Sequence, residues 1–357
     1  MRNKINILTD WWWEILIYQL QKKLSSYFYI ERLNIWLLWK KSFDWWDFKN
    51  SFLMRKFEDD SRFMILHYNN WLDPIICKIP KNKITIFESH SIHFWLDLKN
   101  ALYILDTPLK KNIGFFIHFI YKIFFFFKIK KFDLYFTSIP SALPYAKKIR
   151  SDTIWLPNAI DFELFDKEFN TIKLDKKYIN IFLPTSVRII KNQTKAWKII
   201  DNLSQKYKNI KIYIIKYPIS NYKLINKYLK KYKDNIIWLP LIKRELIWKY
   251  YKADWDLVLW SMWPYKNYSM LNMIELELMA CKAPVVAMDS FEIIKTKYDD
   301  IEKLSWKVLE NKDFRNYYIK KNYNYVKNIH SLENVSKIYL KNLKPFLEDK
   351  LGIIKNI

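Results

Sequence analysis

Three stretches of this chain bring together residue types able to handle a phosphorylated, anionic ligand. In PTSVRIIKNQTKAWKII, residues 184–200, Arg188 and Lys191 sit in a basic loop between a strand-like run and a helical pattern. Two cations at the carboxyl end of a strand can neutralise a departing diphosphate without a metal ion. In WSMWPYKNYSMLNMIELELMACKAPVVAMD, residues 260–289, an irregular loop leads into a helical pattern and then a buried strand. Free N–H groups near Ser269, Met270, Leu271 and Asn272, at the start of that helix, suit a diphosphate, and the helix dipole adds to the preference. Glu277, two turns on, can accept hydrogen bonds from ribose hydroxyls, whereas Glu275 falls on a different face. Finally FESHSIH, residues 87–93, carries His90 and His93 just past a strand-like run. Two histidines alone make neither a zinc site nor a triad, and by themselves they read as satisfied loop histidines.

The pattern of the whole chain indicates what holds these stretches. Short apolar runs alternate with longer helical patterns from end to end, the signature of βα units and mostly parallel sheets. Strands are expected near 5–8, 62–67, 84–88, 101–105 and 133–137, and again near 179–183, 210–215, 235–238, 256–260 and 284–288. Helices fill the gaps, including 13–25, 112–128, 193–206, 220–232, 243–251, 270–281 and 313–327. The expected class is therefore α/β, with two Rossmann-like domains over residues 1–160 and 161–330 and a C-terminal helix in 331–357 returning toward the first. Ligands of such sheets bind at the carboxyl ends of the strands, so two facing sheets predict a cleft.

Composition narrows the partners. The chain has 357 residues, 51% of them apolar, enough for a large core. A net charge of +25, from 61 Lys and Arg against 36 Asp and Glu, points to nucleic acid, an anionic membrane surface or phosphorylated ligands. The lysines are spread along the chain rather than gathered into one arm, which argues against nucleic acid. Cys77 and Cys281 are the only cysteines, so neither a disulfide framework nor a zinc site is indicated, and a reducing, cytoplasmic setting is expected. Met1–Asp10 leads straight into a strand-like run, so no secretory leader is expected. Residues 114–127 are apolar but interrupted by His118 and Lys122 and followed by Lys128, Lys130 and Lys131. That stretch is too short and polar to span a bilayer. It reads equally as an aromatic, basic helix at the inner face of a membrane or as a buried amphipathic helix.

Two glycines against 17 tryptophans is the strongest anomaly, because an average chain is about 7% glycine and uses it where φ is positive. Trp11, Trp12 and Trp13 follow an apolar run, and Trp260 and Trp263 fall where the chain turns. We expect many or all of these tryptophans to be glycines in the host, encoded by a reassigned UGA codon, with Gly114 and Gly352 using ordinary codons. A genuinely Trp-rich protein is the alternative.

Residues 260–289 resemble the donor-site motif of the retaining GT-B glycosyltransferases of family 4, in which a glycine loop and an acid precede E-A-M-A-C-G-x-P-V-V-A. Glu277, Met279, Ala280, Cys281, Pro284, Val285, Val286 and Ala287 match position by position. With glycine at Trp260 and Trp263 the loop matches as well. Residues 184–200 resemble the family's basic donor loop, 152–165 its interdomain segment, and 135–149 the strand and helix before it. Ser269 stands where the family has its acid, Lys282 where it has a helix-ending glycine, and Ala159 where its P-N-G-I-D linker has glycine. The resemblance implies transfer of a hexose from a nucleotide-sugar donor to a glycan or lipid-linked acceptor, with retention of configuration and with neither metal nor other cofactor. It places Arg188 and Lys191 on the diphosphate, Glu277 on the ribose, His90 at the reacting face, and Trp11–Trp13 in the loop after the first strand. A nucleotide-sugar epimerase of the same architecture, or a catalytically silent sugar-binding relative suggested by Ser269, are the alternatives.

Overall fold

The structure is a computed structural model, in which residues 4–8, 29–33, 63–68, 79–89, 119, 123, 125–165, 170–185, 187, 193–217, 221–241, 246–260, 273–287 and 301–351 are described. The chain divides into two compact units, Met1–Ala159 with Leu332–Ile357, and Ile160–Ser331.

In the first unit β1 (Lys4–Leu8), β2 (Tyr29–Leu33), β3 (Phe63–Tyr68), β4 (Ile84–Ser89), β5 (Leu134–Thr137) and β6 (Ile154–Trp155) form one sheet in the order β2-β1-β3-β4-β5-β6. Every pairing is parallel. Parallel strands are covered on both faces and so read as near-continuous apolar runs, and β4 and β5 are buried along their whole length. Phe87 turns to one face and packs on Phe125, Phe132 and Tyr135 with ring centroids 6.0, 5.5 and 5.6 Å away. Ile84 and Ile86 turn to the other. Helix α1 (Leu143–Ile149) precedes β6, and residues 119, 123 and 125–129 are also helical. The expected strand at 101–105 and helix at 13–25 lie outside the described residues.

The second unit begins with the short helix α2 (Phe162–Phe165). It continues through β7 (Ile179–Leu183), α3 (Gln193–Lys206), β8 (Ile210–Ile215), α4 (Asn226–Lys231), β9 (Ile236–Leu239), α5 (Trp248–Tyr251), β10 (Leu257–Leu259), α6 (Met273–Ala280), β11 (Val285–Val286), α7 (Ile301–Glu310) and α8 (Lys312–His330). Its five strands run β11-β10-β7-β8-β9, all parallel. That is the dinucleotide-fold order, in which the first strand lies at the centre. Alternate residues feed two cores. Ile181, Leu183, Ile212 and Ile214 pack with Ala196, Trp197 and Ile200 of α3, and Phe182, Tyr213 and Val258 pack with Trp248, Leu276 and Met279 on the opposite face.

The chain leaves the first unit at Ile160, whose N–H donates to the His330 carbonyl at 2.6 Å, and returns past Ser331, which bridges Ile160. Helix α9 (Leu332–Leu351) then covers the Ile84 and Ile86 face of the first sheet, with Val335, Tyr339, Leu343 and Leu347 at every fourth position. That spacing puts all four on one side of the helix.

Seven of the tryptophans are described, and none takes a positive φ, since Lys282 is the sole non-glycine residue to do so among the described residues. Trp197, Trp248, Trp255 and Trp260 are buried, and Trp255 stacks on Phe182 at 4.6 Å. The backbone therefore gives no conformational reason for glycine at these seven positions. Trp197 does carry a cost, because its buried indole N–H finds no hydrogen-bond partner among the described residues.

Candidate active site

A doubly wound sheet opens a crevice at the carboxyl ends of its strands where the strand order reverses. In the second unit this point lies between β7, which ends at Leu183, and β10, which ends at Leu259. The segments that follow these two strands are 184–192, with Arg188 and Lys191, and 260–272, with Trp263, Ser269, Met270, Leu271 and Asn272. In the first unit the reversal lies between β1 and β3. Trp11, Trp12 and Trp13 follow β1 in the chain, and His90 directly follows β4. The side chains of Arg188, Lys191, His90, Trp11–Trp13, Trp263 and Ser269–Asn272 all lie outside the described residues.

What is described fixes the frame of the second-unit site. Just past β8, the Tyr217 hydroxyl donates to the Pro184 carbonyl at 3.0 Å. The Asn221 N–H donates to the Val187 carbonyl at 2.8 Å. The entry to the basic loop is thus tied at two carbonyls, one residue short of Arg188. Gln193 opens α3 immediately after that loop. It is buried, and its side-chain amide nitrogen finds no hydrogen-bond partner among the described residues. A buried amide donor beside a helix N-terminus is suited to an anionic ligand; no motif points to it, and only burial reveals it.

Glu277 lies on α6 and is buried, as is Glu275. It is not a solvated helix residue, and the different face of Glu275 does not bring that carboxylate to water either. Burial, and then the Glu277 charge, push the Tyr217 phenol up to about 12. Burial and the same charge raise the Cys281 thiol well above its ordinary range, which makes it a poor nucleophile. Glu277 is therefore within electrostatic reach of Tyr217, and through Tyr217 the site connects α6 to the start of the Arg188 loop.

The three departures from the family pattern differ in kind. Lys282 takes φ 59, the left-handed conformation that a helix-ending glycine would take. Ala159 is buried without positive φ, so glycine is not needed there. Two residues later, Asp161 accepts from the Glu163 N–H at 3.1 Å and caps α2. Ser269 lies outside the described residues. Trp260 is buried, and its N–H donates to the Val286 carbonyl at 3.1 Å. It extends the β10–β11 ladder rather than opening the loop.

In the first unit a polar cluster escapes sequence reasoning. His67 on β3 lies 3.2 Å from Glu88 on β4 through Nε2. Its Nδ1 meets the Tyr339 hydroxyl of α9 at 3.3 Å. All three are buried, and burial and the Glu88 charge raise the Tyr339 phenol. Among the described residues no three His, Cys, Asp or Glu side chains gather as a metal site requires.

No protein-family model matches the sequence, and no curated protein is significantly similar to it. Solved structures do match. HepE of Anabaena in complex with UDP and glucose aligns with a TM-score of 0.61 at 11% identity, over 96% of this chain and 100% of that one. A glycosyltransferase from Rickettsia africae aligns with a TM-score of 0.61 at 11% identity, over 99% and 100%. A proposed UDP-N-acetylglucosamine 2-epimerase from Listeria monocytogenes gives 0.61 at 10% identity, over 98% of each chain. At such identities the likeness is one of fold.

Proposed function

Starting from a GT-B fold of two Rossmann-like units, we propose that this chain is a glycosyltransferase that moves a hexose from a nucleotide-sugar donor to a glycan or lipid-linked acceptor. The observation that carries the reading is the strand reversal between β7 and β10, because the two segments that follow those strands hold the basic loop and the donor-motif loop. The buried Glu277 on the next helix, linked electrostatically to Tyr217, supports it. Fold alone does not fix a reaction; the UDP and glucose bound to the HepE structure support a nucleotide-sugar ligand.

In this reading Arg188 and Lys191 hold the diphosphate and take up the charge of the leaving nucleotide, so no metal is required. Glu277 holds the ribose and His90 the transferred sugar. Gln193 adds a donor beside the diphosphate. Catalysis is mainly positioning and leaving-group stabilisation, with retention of configuration as in family 4. The enzyme works in the cytoplasm at the inner face of a membrane.

Calorimetry with a panel of UDP- and GDP-sugars, followed by mass spectrometry of products with and without acceptor, tests the reading. It should be run on protein made with tryptophan and with glycine at Trp11–Trp13, Trp260 and Trp263. Binding by the glycine form and acceptor-dependent release of nucleotide are expected. Failure of both forms to bind any nucleotide sugar would sink it. The Listeria neighbour favours one rival, an epimerase, which would convert the donor with no acceptor present.

A further inference from the structure

Among the described residues, the helical residues 119, 123 and 125–129 are covered on one side only. Phe125 and Ile129 are fully buried, with Phe125 edge-on to Phe87 and Tyr135 at 6.0 and 6.2 Å. Phe119, Ile123 and Phe127 are 59%, 41% and 73% exposed. Helical residues four apart share a face, so the spacing of these three aligns them as an apolar stripe in water. An aligned exposed apolar set, unlike a single exposed Leu, calls for an occupant.

Charge identifies the occupant. Lys130 and Lys131 follow the stripe directly and are exposed. The C-terminal end of α1 is fastened beside them, because Arg150 donates through Nη1 to the Ile129 carbonyl at 3.2 Å and through Nη2 to the Asp133 carbonyl at 2.7 Å. That bond brings the exposed Lys147 and Lys148 to the same end of the unit. The nearby acids do not offset them, since Asp133 is held by Lys350 at 2.7 Å and Asp152 by Arg150 at 2.6 Å. Aromatic side chains flanked by lysine are the composition of an interfacial membrane anchor.

We propose that this end of the first unit docks on an anionic bilayer, with Phe119, Ile123 and Phe127 entering the boundary between headgroups and acyl chains and the four lysines facing anionic headgroups. The proposal names the surface for the membrane part of the function proposed above and rests on that part alone, because lipid binding needs neither donor nor turnover.

The test is co-sedimentation of the full chain with phosphatidylcholine vesicles, either plain or carrying roughly a quarter phosphatidylglycerol. Binding to the anionic vesicles, weakened by salt, is expected. The double substitution Phe119→Ser with Phe127→Ser should lower partitioning at least about tenfold. Lys130→Gln with Lys131→Gln should lower it roughly 25-fold, about fivefold for each charge near an anionic surface. Both variants alter exposed side chains, and their circular dichroism and nucleotide-sugar affinity should match the parent. Equal binding to both kinds of vesicle, no binding to either, or binding indifferent to the Phe variant would overturn the proposal. So would self-association that buries the stripe in place of lipid. Loss of nucleotide-sugar binding in the parent with vesicle binding intact would count against the transferase reading and leave this one standing.

Discussion

Replacing Lys282 tests whether α6 closes with a glycine-type end that lacks its glycine. The Lys282 N–H donates to the Met279 carbonyl and the Ala283 N–H to the Leu278 carbonyl, each at 3.0 Å. This bond pair is a Schellman end with Lys282 as its left-handed residue. A side chain there costs about 1–2 kcal/mol. Part is offset by the Lys282 Nζ, which lies 4.9 Å from the Tyr323 ring centroid, a contact worth about 0.5–1 kcal/mol at an exposed site. Lys282→Ala keeps the backbone cost and loses the ring, so it should destabilise by about 0.5–1 kcal/mol. Lys282→Gly loses the ring as well but relieves the backbone, less about 0.5–1 kcal/mol for the freer unfolded chain. It should come out close to the parent, and about 0.5–1 kcal/mol above the alanine variant. Lys282→Val should be worst, because a β-branched residue tolerates positive φ least. Urea midpoints at constant m-value read the series. An alanine variant as stable as the glycine variant would refute the reasoning.

Other outcomes follow from the same geometry. Glu277→Gln should weaken donor binding about tenfold or more with the fold intact, and should let the Tyr217 phenol titrate below its present value of about 12; ultraviolet titration against Tyr217→Phe reads the second effect. Arg188→Ala and Lys191→Ala should each lower turnover about 100-fold, and the double variant should be non-additive if both cations meet one diphosphate. The Asp201 carboxyl is held below its ordinary 3.8 by hydrogen bonds from Lys231 and Tyr232. A lowered folded value means its stabilisation is full above the ordinary value and fades as pH falls through the folded one. The stability gap between parent and Asp201→Asn should therefore be constant near neutrality and close in acid below pH 3.8. Leu343→Ala, in the row of α9 that covers the first sheet, should cost about 2–5 kcal/mol by thermal unfolding.

The second sheet was the most legible part of the sequence. Strands β7 and β8 and helix α3 fall on the residues expected for them, because a covered parallel strand is an unbroken apolar run between polar segments. Strand β2 escapes that rule. It lies at the sheet edge and carries Glu31 and Arg32, which an edge strand tolerates. Helices α7 and α8 follow one another with no strand between, so alternation of strand and helix hides α7. The stretch around Glu277 was legible as a helix, but the burial of both its carboxylates was not, since a glutamate is ordinarily solvated. Gln193 is an unremarkable residue until its burial is seen. His67 and Tyr339 are 272 positions apart, and only the return of α9 brings them together. The glycine expectation gains no support from backbone angles at the seven described tryptophans; the mass of the peptide carrying Trp197, taken from the native host, should nonetheless be that of the glycine form, and a tryptophan mass would end the idea at that position.

The position of α9 sets an order of events during synthesis. Chains usually fold from the N-terminus as they emerge, but here the unit that begins first is completed last. Ile65, Ile84, Ile86, Leu134 and Phe136 wait for Val335, Tyr339, Leu343 and Leu347, while Ile160–Ser331 is contiguous and can close beforehand. For that interval the nascent chain carries a finished second unit behind a sheet with one bare apolar face, the kind of surface that aggregates or recruits a chaperone. A ribosome stalled after Ser331 would therefore damage the half of the protein it made first.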